Sequence, residues 1–145
     1  MKKILLIFSL VLFLGSTLSA QKMAKFKKGI VKIGGEEFLK YDCKHPQSSN
    51  CIYTNLNGEK VILVKSKFLK KEYSTVTGQM HDRFYYEIEF LNIDKKTFSI
   101  EWLEHLFIHI YNLKVLNSDG SINLENAEDF IKIHGTDEPN VVFVD

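Results

Sequence analysis

The chain lacks most of the signatures by which an enzyme announces itself. It has no Gly-x-Ser-x-Gly elbow, no His-Glu-x-x-His pair and no glycine-rich phosphate loop. Hydrolases built on a nucleophile elbow, zincins and phosphate-loop nucleotide binders are therefore not expected. No internal repeat and no low-complexity linker marks a second domain. There are only two cysteines and one tryptophan, and the formal net charge is +1. From residue 21 onward, seventeen basic residues stand against eighteen acids, which gives nucleic acid little to bind. The apolar run Ile4 to Leu14 is too short for a membrane span.

That run belongs to a leader. Lys2 and Lys3 form a basic start, Ile4 to Leu14 the apolar middle, and Gly15 to Ala20 a small, polar cleavage region, so residues 1–20 read as a signal peptide. Cleavage is expected after Ala20, with a cut after Ser19 as the alternative because Leu18 is large for its position. No cysteine near the site marks a lipid anchor, and the mature chain is expected to be soluble, in the periplasm or the medium. The LSAQ ending resembles the leaders of exported Bacteroidota proteins, in which glutamine follows the cleaved alanine. The order of hairpins, aromatic strand, apolar helix and the segment NSDGSINLENAEDFIKIHG is similar to small exported proteins of the same bacteria. The resemblance implies export and brings no catalytic residues with it.

What remains after the leader is the length of one ordinary domain, enough to bury a core. Its charge is unevenly spread. Residues 21–75 hold twelve lysines and five acids, residues 76–145 five basic residues and thirteen acids. Either the halves pack together and neutralise, or the basic half meets an anionic partner such as lipid headgroups or an envelope polymer.

Arg83 to Leu91, RFYYEIEFL, sets the fold. Phe84, Tyr86, Ile88 and Phe90 alternate with Tyr85, Glu87 and Glu89, the period of a half-buried strand. Upstream, Lys25 to Tyr41 reads as a hairpin turning at Gly34-Gly35, which would set Lys32 opposite Glu37, Val31 opposite Phe38 and Ile30 opposite Leu39. A second hairpin turns at Asn57-Gly58, with Thr54 facing Val61 and Ile52 facing Leu63. Its return strand becomes basic at Lys65, Lys67, Lys70 and Lys71, either a guard on a strand edge or, with His81, a binding surface.

Cys43 and Cys51 bracket KHPQSSN. In an oxidising compartment the simplest reading is a disulfide closing that loop; a metal site adding His45 would lack a fourth ligand. Glu72 to Asp82 is polar and long for a hairpin connection. It contains Ser74, His81 and Asp82, the letters of a hydrolase triad, without an elbow or an oxyanion donor.

After a turn at Asn92 to Lys96, Ser99 is placed to cap a helix running to about Leu113, with Trp102, Leu103, Leu106, Phe107, Ile110 and Leu113 as its apolar stripe. On its polar face Glu101, His105 and His109 lie a turn apart, the spacing of a metal site. Asn117 to Asn126 resembles a calcium loop in its middle, but its end positions fall on Val115 and Asn126, so a turn with an Asn123 cap explains it equally. Leu124, Ala127, Phe130 and Ile131 mark a second helix stopped by Gly135, and residues 136–145 form a tail or edge strand.

The expectation is thus one α+β domain over residues 21–135: an antiparallel sheet of four to five strands with two C-terminal helices on one face. Function is expected to be non-enzymatic, with no cofactor, the protein binding an envelope protein or an anionic envelope component and no nucleic acid. The alternative is a metal-binding protein or metal-dependent hydrolase using His105 and His109.

Overall fold

The computed structural model describes residues 22–139, so the expected signal peptide, its cleavage site and the final segment 140–145 lie outside the described residues. The architecture is α+β, with seven antiparallel strands in sequence order: β1 (Ala24–Lys27), β2 (Ile30–Ile33), β3 (Glu36–Asp42), β4 (Cys51–Thr54), β5 (Lys60–Tyr73), β6 (Met80–Phe90) and β7 (Lys95–Ser99). Two helices follow, α1 (Leu103–Asn112) and α2 (Leu124–His134), with α1 against β1 and α2 against β7.

Seven strands replace the expected four to five for two reasons. Lys28-Gly29 forms a tight turn with φ of 53° and 76°, splitting the first arm of the first hairpin into β1 and β2. A lysine in that left-handed position gives no turn signal of the Asn-Gly kind. Lys95 to Ser99, read as the end of a turn and the start of a helix, pairs instead with β6, Thr97 opposite Ile88. Ser99 consequently does not cap α1; its Oγ accepts from Glu101 N, and α1 begins at Trp102 without a side-chain cap.

The expected registers hold in part. Lys32 faces Glu37 and Ile52 faces Leu63, but a bulge at Phe38 puts Val31 opposite Leu39 and Ile30 opposite Lys40. A second bulge, at Val61, puts Thr54 opposite Lys60. Each extra residue shifts the pairing by one while the apolar side chains keep their face.

One face of the sheet carries Val31, Ile33, Leu39, Tyr53, Ile62, Val64, Ile88 and Phe90, all fully or almost fully buried under Leu103, Leu106, Phe107 and Ile110 of α1 and Ala127 and Phe130 of α2. The stripe expected on α1 is correct except at its ends, since Trp102 is exposed and Leu113 half-buried. On the opposite face Tyr85, expected at the surface, is buried beside Phe98, ring centroids 6.4 Å apart.

The disulfide Cys43–Cys51 is present, with Cα atoms 5.2 Å apart. It holds a loop that extends the cover beyond α1. Ser66 Oγ donates to Ser49 O, Tyr86 Oη to Gln47 O, and Gln47 Nε2 to Glu104 of α1. At the other end of the sheet, buried Asn55 donates to Gly120 O and to Glu59, and Asn57 donates to Asp119 O, tying the β4–β5 turn to the loop between the helices. Asn123 caps α2, its side chain accepting from Asn126 N at 3.0 Å. Gly135 ends α2 with φ −79°, so its need for glycine is spatial: a Cβ would collide with Thr97 Oγ1 and Ile131 O. Thr136 then donates its N–H to Phe98 O, bridging the β7 edge.

Candidate functional site

Two features stand apart from the core: a cluster of imidazoles and carboxylate at the helix ends, and the distal half of the β5–β6 hairpin.

The cluster joins Glu101, just before α1, to His109 in the last turn of α1 and His134 in the last turn of α2. His109 Nε2 and His134 Nδ1 each lie 3.1 Å from a different oxygen of the Glu101 carboxylate. The rings stack on one another, centroids 3.8 Å apart and planes 17° apart. Their ligand-capable atoms fall within 4.8 Å of one another. Of the residues expected at a metal site, the structure brings together Glu101 and His109 and leaves His105 out. His105 is exposed, one turn earlier, in a shallow hollow with Lys22, Met23, Ala24, Glu104 and Ile108. His134 was not foreseen, because spacing within one helix cannot reveal a partner supplied by the packing of another.

The geometry suits hydrogen bonding better than metal. A ring nitrogen's lone pair lies in the ring plane, so an ion held by both imidazoles has to lie in both planes about 2.0–2.1 Å from each nitrogen. Nearly parallel stacked rings do not offer such a point. As they stand, each ring donates one N–H to its own carboxylate oxygen, and the carboxylate clamps α1 to α2.

Burial, with the charge of His134, holds the His109 pKa below its ordinary 6.5, and Glu101 opposes the shift. A lowered histidine pKa means that the unfolded chain takes up the proton first, so the contribution of His109 is present above about 6.5 and lost as pH falls below it. Thermal melts should accordingly show stability declining as pH falls below about 6.5, with a shallower decline in His109→Gln. Equal slopes in the two proteins would show that His109 is not responsible.

The second feature is the projecting half of the β5–β6 hairpin. The long loop expected over Glu72 to Asp82 is strand at both ends, with Glu72 opposite His81 and Tyr73 opposite Met80, and 74–79 forms the turn. The triad letters are thereby separated. Ser74 belongs to the turn, its Oγ accepting from Thr77 N, while His81 and Asp82 are consecutive in β6 and point to opposite faces.

Cover over the sheet ends at Ser66 and Tyr86, where the disulfide loop sits. Beyond it, Phe68 packs edge to face on Phe84 at 6.2 Å, and Tyr73 and Met80 continue the same face. Phe68 is 48%, Tyr73 60%, Met80 59% and Val76, in the turn, 94% exposed. Lys71 opposite Asp82 forms the one charged row between them on that face; large apolar side chains gathered in the open on a single arm mark an interaction site. Trp102 stands at the base of this arm, with Arg83 over its ring at 4.5 Å and His81 at 6.0 Å.

The basic residues expected at a binding surface divide in two. Lys65 is engaged on the outer face, its Nζ 2.9 Å from Glu87 and 3.6 Å from Glu89, and that hydrogen bond raises the lysine's pKa and lowers that of Glu87. Lys67, Lys70 and Lys71 lie on the uncovered arm and are exposed; Lys70 makes a loose contact to Glu72 at 3.7 Å, and Lys67 and Lys71 have no ion-pair partner among the described residues.

The resemblance to a calcium loop gives way to a self-contained turn. Asp119 accepts from both the N–H and the hydroxyl of Ser121, which lower its pKa, and Val115 is fully buried. With both cysteines oxidised, no thiolate is available to a site at His45. No helix among the described residues is long and apolar enough to cross a membrane. No protein-family model, curated protein or solved structure matches the chain.

Proposed function

We propose that this is a non-enzymatic exported protein whose β5–β6 arm binds an anionic component of the cell envelope. The observation that carries the reading is the uncovered strip of Phe68, Tyr73, Val76 and Met80 beside exposed Lys67, Lys70 and Lys71. Leaving these apolar side chains in water lowers no folding free energy, so their use lies in a contact outside the chain. The disulfide accords with an oxidising compartment.

The test is co-sedimentation of the chain lacking residues 1–20 with a washed envelope fraction. Tyr73→Ser/Val76→Ser/Met80→Ser should keep the circular dichroism and melting temperature of the parent and lose about tenfold or more in binding, since three exposed apolar side chains are removed. Undiminished binding by a folded triple variant would end the reading.

A metal-binding reading is kept alive by one observation, the convergence of Glu101, His109 and His134. The stacked rings predict that calorimetric titration with zinc finds no site tighter than about 1 μM. A stoichiometric tight site abolished by His134→Ala would establish metal binding and require one ring to leave the stack.

A further inference from the structure

We infer that the anionic component is a lipid surface, entered by the tip of the β5–β6 arm; the inference rests on the arm being the binding element. Three properties of the tip point to lipid. First, the segment Tyr73 to Met80, YSTVTGQM, carries no charge, so it enters an interface without stripping water from an ion.

Second, part of the turn's backbone is already paired. Ser74 N donates to Gln79 O at 2.9 Å, Gly78 N to Ser74 O at 2.8 Å and Thr77 N to Ser74 Oγ at 3.2 Å. Unpaired backbone groups are what make irregular segments costly in a bilayer core, and these bonds lower that cost for a turn that enters only the interface. Gly78, at φ 67°, supplies the left-handed residue that closes it.

Third, charge is placed behind the tip at the depth an interface demands. Lys70, Lys71 and Arg83, with Lys67 further back, outnumber Glu72 and Asp82. At about 3.3 Å per residue the lysine pair stands roughly 7–10 Å behind Tyr73, close to the 5–10 Å by which interfacial elements bury their apolar face. The lysines then meet headgroups while Tyr73, Val76 and Met80 meet the acyl boundary. Tyrosine is itself favoured there.

A folded protein partner fits less well. A stable protein interface buries about 800 Å² on each side, and the apolar part of this tip is three side chains on a two-stranded ribbon. A bilayer needs no shaped complement.

The experiment is vesicle co-sedimentation of the chain lacking residues 1–20. Vesicles of phosphatidylcholine with phosphatidylglycerol should bind it about tenfold better than phosphatidylcholine alone, and about 0.5 M salt should remove most of the difference, because the screening length falls from about 10 Å at 0.1 M toward about 3 Å at 1 M. Lys70→Gln/Lys71→Gln should weaken binding about tenfold, and Val76→Ser should weaken it at both salt concentrations. No preference for anionic vesicles, or a preference untouched by these variants, overturns the inference. Arm-dependent binding to the envelope fraction without vesicle binding would overturn the lipid assignment alone and point to a protein or glycan. Envelope binding that ignores the arm would overturn the reading beneath it. A dimer in light scattering that Val76→Ser dissociates would assign the tip to a second copy and equally overturn the inference.

Discussion

Phe107→Ala is expected to lower folding stability by about 3–5 kcal/mol, the usual cost of emptying a buried aromatic position. Phe107 is fully buried on α1, 4.5 Å from the ring of Tyr53 on β4 and 5.3 Å, edge to face, from Phe26 on β1. It is where the helix meets the sheet, so closing the gap requires α1 to move. The Tyr53 hydroxyl has no hydrogen-bond partner among the described residues, and its pKa is raised chiefly by burial. Enlarging the space around that ring leaves the hydroxyl no better placed. Urea unfolding followed by circular dichroism measures the loss. Phe68→Ala, an equally large truncation on the uncovered arm, should change stability by no more than about 0.5 kcal/mol. Similar losses at the two positions would mean that the arm is packed and the exposed strip does not exist.

Cys43→Ala/Cys51→Ala should cost about 2–3 kcal/mol, the chain-entropy value for a loop with a sequence separation of 8. A second consequence is specific to this fold. The loop supplies the acceptors for Ser66 and Tyr86 and reaches Glu104 of α1. When it loosens, the Tyr86 hydroxyl, whose pKa burial pushes up to about 12, becomes more accessible and should titrate lower. Ultraviolet titration of the tyrosines in the double variant, compared with the parent, reads this directly. An unchanged titration with the full stability loss would show that the loop stays in place unaided.

Much of this architecture is legible in the sequence where local chemistry decides it. Gly34-Gly35 and Asn57-Gly58 give their turns, the alternation from Phe84 to Phe90 gives β6, and Asn123 and Gly135 bound α2. Long-range pairing hides the rest. Lys28-Gly29 lacks a turn signature, and Thr97 and Ser99 become strand residues only because β6 is beside them. The polar segment Glu72 to Asp82 reads as a loop because its two arms alternate charge, polar and apolar residues without a dominant face, and the pairing of β5 with β6 overrides that weak preference. The candidate site follows the same division. Glu101 and His109 are found from helical spacing, whereas His134 arrives by tertiary packing alone. The lysines of the arm are visible as a run, and which of them is free depends on Glu87 lying opposite Lys65 and Glu89 diagonal to it.

The claim on which everything functional rests is that the arm is the contact surface. Hydrogen exchange of the chain lacking residues 1–20, with and without envelope membranes, tests it most directly. The account predicts slowed exchange from Phe68 to Phe84, strongest in the turn around Val76, with the helices unchanged. Protection centred on Glu101, His109 and His134, with the arm exchanging as before, would contradict it.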